Sequence, residues 1–397
     1  MSVNNQPSVL NPKVSKYLLV GPRCLAFPTG VSIAFGCLTE HLSNKRYCKT
    51  TVVDTNLESS VAKTGTLQLN KLLFLLRQIT FAWWSLPGKH LVYIVISSSF
   101  LGFLKDAFLI WPAVLLGKPC VLHLHGGGYA GFYGNAGKLQ RFCIRHTLRR
   151  ASGVIVLGEL LREQFSFLKD SDKIIVIPNG VHDVSSSNAR TLDGPFRFVF
   201  LSNLMVSKGY LEAAKAIKSL LLEGLDVELH LCGKFLYSAC EGAPSDSQTA
   251  REEFERMLDD PTLRGRIVHH GIVMMQEKDD ILASSHCLLL PTQYPGEGQP
   301  LCILEAMASG LPVIANVHAG IPDMIADGKT GFLVAKNQDD NLTHAMRKIA
   351  CMGTAEFESL CHNARDAYER QYTLGLHLQR MDNCLSSMSN IKESVSP

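Results

Sequence analysis

The chain has no Cys-x-x-Cys pair, although its 397 residues include 12 cysteines. Thiols scattered in this way exclude the usual zinc-ligand spacing and a dithiol redox motif. They suit a reducing compartment, where most serve as small buried apolar residues. A large charge of either sign is also missing: 39 Lys and Arg against 36 Asp and Glu leave +3, which gives no global footprint for nucleic acid. Long apolar runs are missing too. The most apolar region, Leu91 to Gly117, is broken by Lys105-Asp106 and Pro112 and lacks the roughly 20 uninterrupted apolar residues of a membrane span. It reads as a buried strand followed by a helix. The N-terminal segment is polar, with no basic stretch ahead of an apolar run, so a secretory signal is not expected and a cytoplasmic location is, with the inner face of the membrane as one option. The end of the chain, from Leu385 to Pro397, is Ser-rich and reads as disordered.

What is present is alternation. Short runs rich in Val, Ile and Leu (Tyr17–Val20, Thr51–Asp54, Leu91–Ile96, Cys120–Leu124, Gly153–Leu157, Ile174–Ile177) are separated by helical patterns such as Leu69–Trp84 and Lys138–Arg150. Runs of this kind between Gly and Pro predict buried parallel strands in a doubly wound sheet. A polar stretch, His182 to Pro195, reads as a linker, after which the alternation restarts at Phe196–Leu201 and continues to Gly331–Val334. The expected organisation is an α/β chain of two Rossmann-like domains, residues 1–185 and 186–370, with 371–397 forming a terminal helix and tail.

Ligands in open parallel sheets sit beyond the carboxyl ends of the strands, so the residues there carry the chemistry. The strongest signal runs from Glu297-Gly298-Gln299-Pro300-Leu301-Cys302 through Glu305. Pro300 suits a first helical turn, which would aim the N–H groups of Leu301 to Ile303 into a cleft as an anion site. Glu305, one turn in, could accept hydrogen bonds from ribose hydroxyls, and Glu297 from sugar hydroxyls. A solvated loop Glu and a helix-dipole Glu are the plainer alternatives, which the glycine-rich setting disfavours. Asn203 and Lys208 link a strand to a helix. Lys208 at that helix start either faces a dianionic ligand or stretches into water. His125 precedes three glycines at a strand end, so it either meets a sugar or is a turn histidine, while His123 reads as structural. Gly30, after the first strand, starts a helix that faces the ligand or merely makes a tight turn, and Gly233 closes the strand Val227–Cys232.

Glu297 to Glu305 as an E-x7-E, Lys208-Gly209, Pro178-Asn179-Gly180-Val181, and Gly320 to Asp323 with Asp327 to Gly331 together resemble the family 4 retaining glycosyltransferases of GT-B fold. The resemblance covers residues 16–375 and is tightest in the second half. It implies a nucleotide-sugar donor held mainly by the second domain, retention of configuration, and no metal or other cofactor. By analogy Glu305 would hold the ribose, Glu297 the sugar, Lys208 the diphosphate and His125 the reacting centre, with Gly298 to Cys302, Asn203, Gly233 and Gly30 around the donor. The last helix, near 364–381, would cross back to the first domain. Asn203 stands where the family often has Arg, and Asp323 where Glu is commoner.

The acceptor is less visible in the sequence. Lys138, Arg141, Arg145 and Arg149 form one stripe at helical spacing, and Leu72–Trp84 is rich in Leu, Phe and Trp. Together they read either as peripheral docking beside a lipid-linked acceptor or as a solvated face plus a core helix. A saccharide or lipid-linked acceptor is the expected partner. A sugar-nucleotide epimerase of the same fold and a catalytically silent sugar-nucleotide binder are the rival readings.

Overall fold

The computed structural model describes residues 14–23, 29–56, 69–169, 171–184, 190–236, 244–335 and 339–390. Most of the polar N-terminal segment, Phe27-Pro28 ahead of Gly30, the serines of the linker and residues 391–397 lie outside the described residues.

The first half forms β1 (Ser15–Gly21), β2 (Cys48–Asp54), β3 (Leu91–Val95), β4 (Cys120–His123), β5 (Gly153–Val156) and β6 (Ile174–Val176). These pair in the order β2-β1-β3-β4-β5-β6, all parallel. Helices α1 (Gly30–Ser43), α2 (Leu69–Ser85), α3 (Phe100–Leu115), α4 (Tyr129–Asn135) and α5 (Lys138–Leu148) connect them. Because helices cover both faces, every residue of β3, β4 and β5 is buried, which is why these strands read as unbroken apolar runs instead of alternating ones. One core cluster joins α2, α3 and α5 to one face of the sheet, and a second joins α1 to the other. Thr29 caps α1: its hydroxyl accepts from the Ser32 N–H at 3.2 Å, while the Ser32 hydroxyl accepts from the Thr29 N–H at 2.8 Å, so the helix start at Gly30 is written locally.

The second half repeats the plan with β7 (Phe196–Leu201), β8 (Val227–Cys232), β9 (Ile267–Gly271), β10 (Cys287–Leu290), β11 (Val313–Asn316) and β12 (Gly331–Val334), in the order β12-β11-β10-β7-β8-β9. Helices α6 (Tyr210–Leu222), α7 (Pro244–Leu258), α8 (Met275–Ser284), α9 (Leu301–Ala308), α10 (Asp339–Ala350) and α11 (Thr354–Gln371) belong to it, and α12 (Leu374–Asn390) ends the described chain. The strand order reverses between β7 and β10, so the crevice of this sheet opens there.

Two expectations about the C-terminal segment need correction. The crossing helix is not one element near 364–381. The chain breaks at Tyr372-Thr373, so that α11 packs on α9 while α12 packs on α1 and β3. The break lies against the Pro178-to-Val181 turn: the Val181 N–H donates to the Tyr372 carbonyl at 3.0 Å and the Leu374 N–H to the Val181 carbonyl at 2.8 Å. Residues 385–390, expected to be disordered, are helical, with Leu385 and Met388 buried against the first sheet. Met381, Leu385 and Met388 are spaced four and three apart, one helical stripe that the intervening serines conceal. Lys45 pairs with Asp382 on the same helix.

Candidate functional site

The loop after β7 and the loop after β10 meet at the switch point of the second sheet. The Gln293 N–H donates to the Ser207 carbonyl at 2.6 Å and ties them together. Each loop delivers one half of an ion pair: Lys208 Nζ lies 2.8 Å from Glu297 Oε2. The Thr292 hydroxyl donates to the same carboxylate oxygen at 3.2 Å, and the ammonium sits 5.2 Å from the centroid of the Tyr294 ring. Glu297 is 7% exposed. Burial works against the Lys208 charge, but the Glu297 carboxylate more than offsets it and raises the ammonium pKa, so the lysine stays cationic. A compact cation and a hydroxyl-accepting carboxylate are thereby held side by side at a crevice.

Helix α9 starts just beyond. Pro300 is its cap, with φ −62 and ψ 122, and so stands one position before the expected first-turn place. The Ile303 N–H lies 3.2 Å from the Pro300 carbonyl. It is engaged inside the turn, and of the three amides expected to face the cleft only those of Leu301 and Cys302 remain to point outward. The Cys302 thiol is pushed up to about 12 by burial and stays protonated. Glu305, one turn on, receives Lys278 from α8, with Nζ to Oε1 at 2.6 Å. Burial raises the Glu305 pKa and Lys278 opposes it. Lys278 is absent from the residues singled out by sequence. It stands in a run of charged residues with no local signal, and only the packing of α8 beside α9 brings it to residue 305.

The first domain closes directly onto this crevice. The Gly127 N–H donates to the Gly296 carbonyl at 3.2 Å. Gly298 lies against the His125 carbonyl, and the Leu301 side chain lies 3.6 Å from where a Cβ on Gly30 would stand. The Gln299 side-chain oxygen accepts the Asn179 N–H at 2.6 Å, and the Asp323 carboxylate caps the next turn by accepting the Leu160 N–H at 2.9 Å. Asn203 is exposed at the rim. Gly233 acts through the backbone: with φ +151, it lets β8 end against the Ser202 carbonyl, where any side chain would collide.

His125 is 9% exposed, and neither ring nitrogen has a protein partner among the described residues. It stacks on His123, ring centroids 3.9 Å apart. His123 is buried, with its Nδ1 2.7 Å from the Tyr93 hydroxyl. Burial, helped by nearby His377 on α12, depresses the His125 pKa to about 3, and burial also lowers those of His123 and His377. These rings are therefore neutral at ordinary pH. Between about pH 6.5 and about 3 an unfolded His125 binds a proton that the folded one refuses, so stability falls on acidification through that window, by up to about 1.4 kcal/mol per pH unit for one histidine. Denaturant unfolding at pH 7 and at about pH 5.5 should show this loss, and His125→Gln should make it smaller. An unchanged pH dependence would mean that His125 is not the buried neutral ring described here.

The chain has one Asp-x-Asp triplet, residues 170–172. Its second aspartate, Asp172, lies in the turn leading into β6, at the amino edge of the first sheet and so on the side away from the crevice. No cluster of three or more metal-ligating side chains occurs among the described residues.

Two family models match: "Glycosyl transferases group 1" on residues 185–365 and "Glycosyl transferase 4-like domain" on residues 75–180. The amylovoran biosynthesis glycosyltransferase AmsK of Erwinia amylovora is 23% identical over 202 residues, 50% of this chain and 46% of that protein. The chain spans about half the length of such curated relatives. Among solved structures, Anabaena HepE in complex with UDP superposes with a TM-score of 0.71 at 16% identity, covering 94% of this chain and all of that one. A glycosyltransferase from Rickettsia africae gives 0.71 at 15% identity, covering 94% and 98%. The superpositions establish the GT-B fold, two facing doubly wound domains, and the matched models place a glycosyl transferase 4-like domain in the first half and a group 1 glycosyl transferase domain in the second.

Proposed function

We propose that the protein transfers a glycosyl group from a nucleoside-diphosphate sugar to a saccharide acceptor, free or lipid-linked, with retention of configuration, in the cytoplasm or at the inner face of the membrane. The observation that carries the reading is the Lys208–Glu297 pair at the crevice, with Glu305 one turn inside the helix that follows it. In this reading the departing diphosphate places its developing charge against Lys208 and the outward amides of α9, fixed donors that need no reorganisation. Glu297 accepts from the sugar hydroxyls and Glu305, oriented by Lys278, from the ribose. His125, neutral and with neither ring nitrogen hydrogen-bonded among the described residues, offers one of them to a sugar or acceptor hydroxyl. The positive charge comes from the protein itself, so the mechanism calls for no metal. HepE has been solved with UDP and with UDP-glucose, which supports a uridine nucleotide as the first donor to try.

Thermal unfolding across a panel of nucleotide sugars tests this. A true donor at about a hundred times its Kd stabilises the fold by about 2.7 kcal/mol, and Glu305→Ala should abolish the shift. A shift with no sugar in the panel would defeat the reading. Product analysis with and without acceptor separates transfer from epimerisation, and the anomeric coupling of the product reports retention. Full rate in a chelator is expected.

A further inference from the structure

The helices on one face of the first sheet bury an apolar side against it. Ile79 and Ala82 of α2, Phe103 and Ile110 of α3, and Ile144 and Leu148 of α5 point inward into one core. The outward sides of α2 and α3 are apolar as well. Trp84 is 86% exposed, Leu115 79% and Leu101 64%, with Leu76, Phe108 and Leu116 also exposed. Soluble proteins seldom present a contiguous apolar ridge of this kind without a partner for it.

Charge identifies the partner. Between Glu58 and Glu159 the sequence has a single acidic residue, Asp106, and it is buried, accepting the Ser97 N–H at 2.9 Å. On and just beyond α5, which contacts α3, Lys138, Arg141, Arg145, Arg149 and Arg150 are exposed. An apolar ridge beside a cationic band with no exposed acid among them matches an anionic lipid surface, where the apolar side chains enter the interfacial zone and the cations meet phosphates. A second copy of the chain fits poorly, because twofold pairing would bring the like-charged bands together.

We propose that the α2–α3 ridge and the basic face of α5 form a docking surface for an anionic bilayer. Helix α3 starts at the carboxyl end of β3, where the Ser98 hydroxyl is 3.5 Å from the Gly127 carbonyl, so the ridge begins at the rim of the crevice and runs away from it for roughly 24 Å, the length of 16 helical residues. A lipid-anchored acceptor would reach the crevice from that rim. This last point rests on the function proposed above; the docking itself does not.

All three tryptophans of the chain, Trp83, Trp84 and Trp111, lie on α2 and α3, so intrinsic fluorescence reports on this surface. The full chain should float with vesicles of phosphatidylcholine containing about 30% phosphatidylglycerol, at least about tenfold better than with phosphatidylcholine alone, and with a blue shift in emission. Binding should weaken in about 0.5 M salt. Trp84→Glu with Leu115→Glu, both at exposed positions, should lower it at least about tenfold, as should Arg145→Glu with Arg149→Glu. Equal binding by these variants, or no flotation of the parent chain, overturns the proposal, as does a vesicle-free dimer that Trp84→Glu with Leu115→Glu dissolves. The thermal shift with a nucleotide sugar, read on the same variants, should stay unchanged. Its absence in the parent chain would count against the transferase and leave the docking result standing.

Discussion

Lys208→Met should lower kcat/KM for glycosyl transfer by about a hundredfold to a thousandfold, the range seen when one preorganised donor to a developing charge is removed. The same substitution should also destabilise the fold. Glu297 is buried beside it, and among the described residues the Thr292 hydroxyl at 3.2 Å is what its carboxylate keeps without the ammonium. Breaking one side of a buried pair costs about 3–5 kcal/mol, and the 15% exposure of the Lys208 side chain places the expected loss at or below the lower end. Rate and stability then separate in the double variant. Lys208→Met with Glu297→Gln removes both charges, so urea unfolding should recover most of the stability, while the transfer rate should remain low because no side-chain cation from this pair faces the leaving diphosphate and only the α9 amides are left to it. Recovery of both together would make the pair structural, and an undiminished rate in Lys208→Met alone would take the diphosphate away from this residue.

The sequence discloses those parts of the site that depend on one stretch of chain. Pro300 followed by a helix, the two carboxylates eight residues apart, and glycines at strand ends are local features, and the strands are legible because burial on both faces leaves runs such as Leu91–Val95 with no polar group apart from the Tyr93 hydroxyl. What depends on packing between distant segments is not legible. Lys278 reaches Glu305 across 27 positions and Asn179 meets Gln299 across 120, and neither pair has a spacing that points to the other. The helix through Leu385 and Met388 is obscured for another reason: its core contacts come from a different domain, so the amphipathic stripe is short and set among serines. The apolar outer side of α3 looks in the sequence like part of a buried helix, because hydropathy alone does not distinguish a helix buried on two sides from one that shows an apolar side to its surroundings.

Gly127→Ala and Gly298→Ala should each reduce kcat by about a hundredfold, the penalty for displacing reacting groups by an ångström or so. A Cβ on Gly127 would stand closer than 3.0 Å to the Glu297 carbonyl oxygen and 3.3 Å from that of Pro295, and one on Gly298 would press on the His125 carbonyl and lie 3.0 Å from the Gly126 Cα. All of these obstacles are backbone, so none can rotate aside, and the two domains must part to admit the methyl group. Neither glycine has a positive φ, so alanine suits the local chain and the penalty falls on the seam between domains. Gly127 belongs to the first domain while the proposed donor groups belong to the second, so Gly127→Ala should keep the nucleotide-sugar thermal shift and lose the transfer. Gly131→Ala, in α4 with no atom near the added methyl, is the matched control and should keep both. Small-angle scattering should show the two seam variants wider than the control. Full activity in both would mean that the reaction runs with the domains apart, and that His125 and Glu297 do not act on the same substrate.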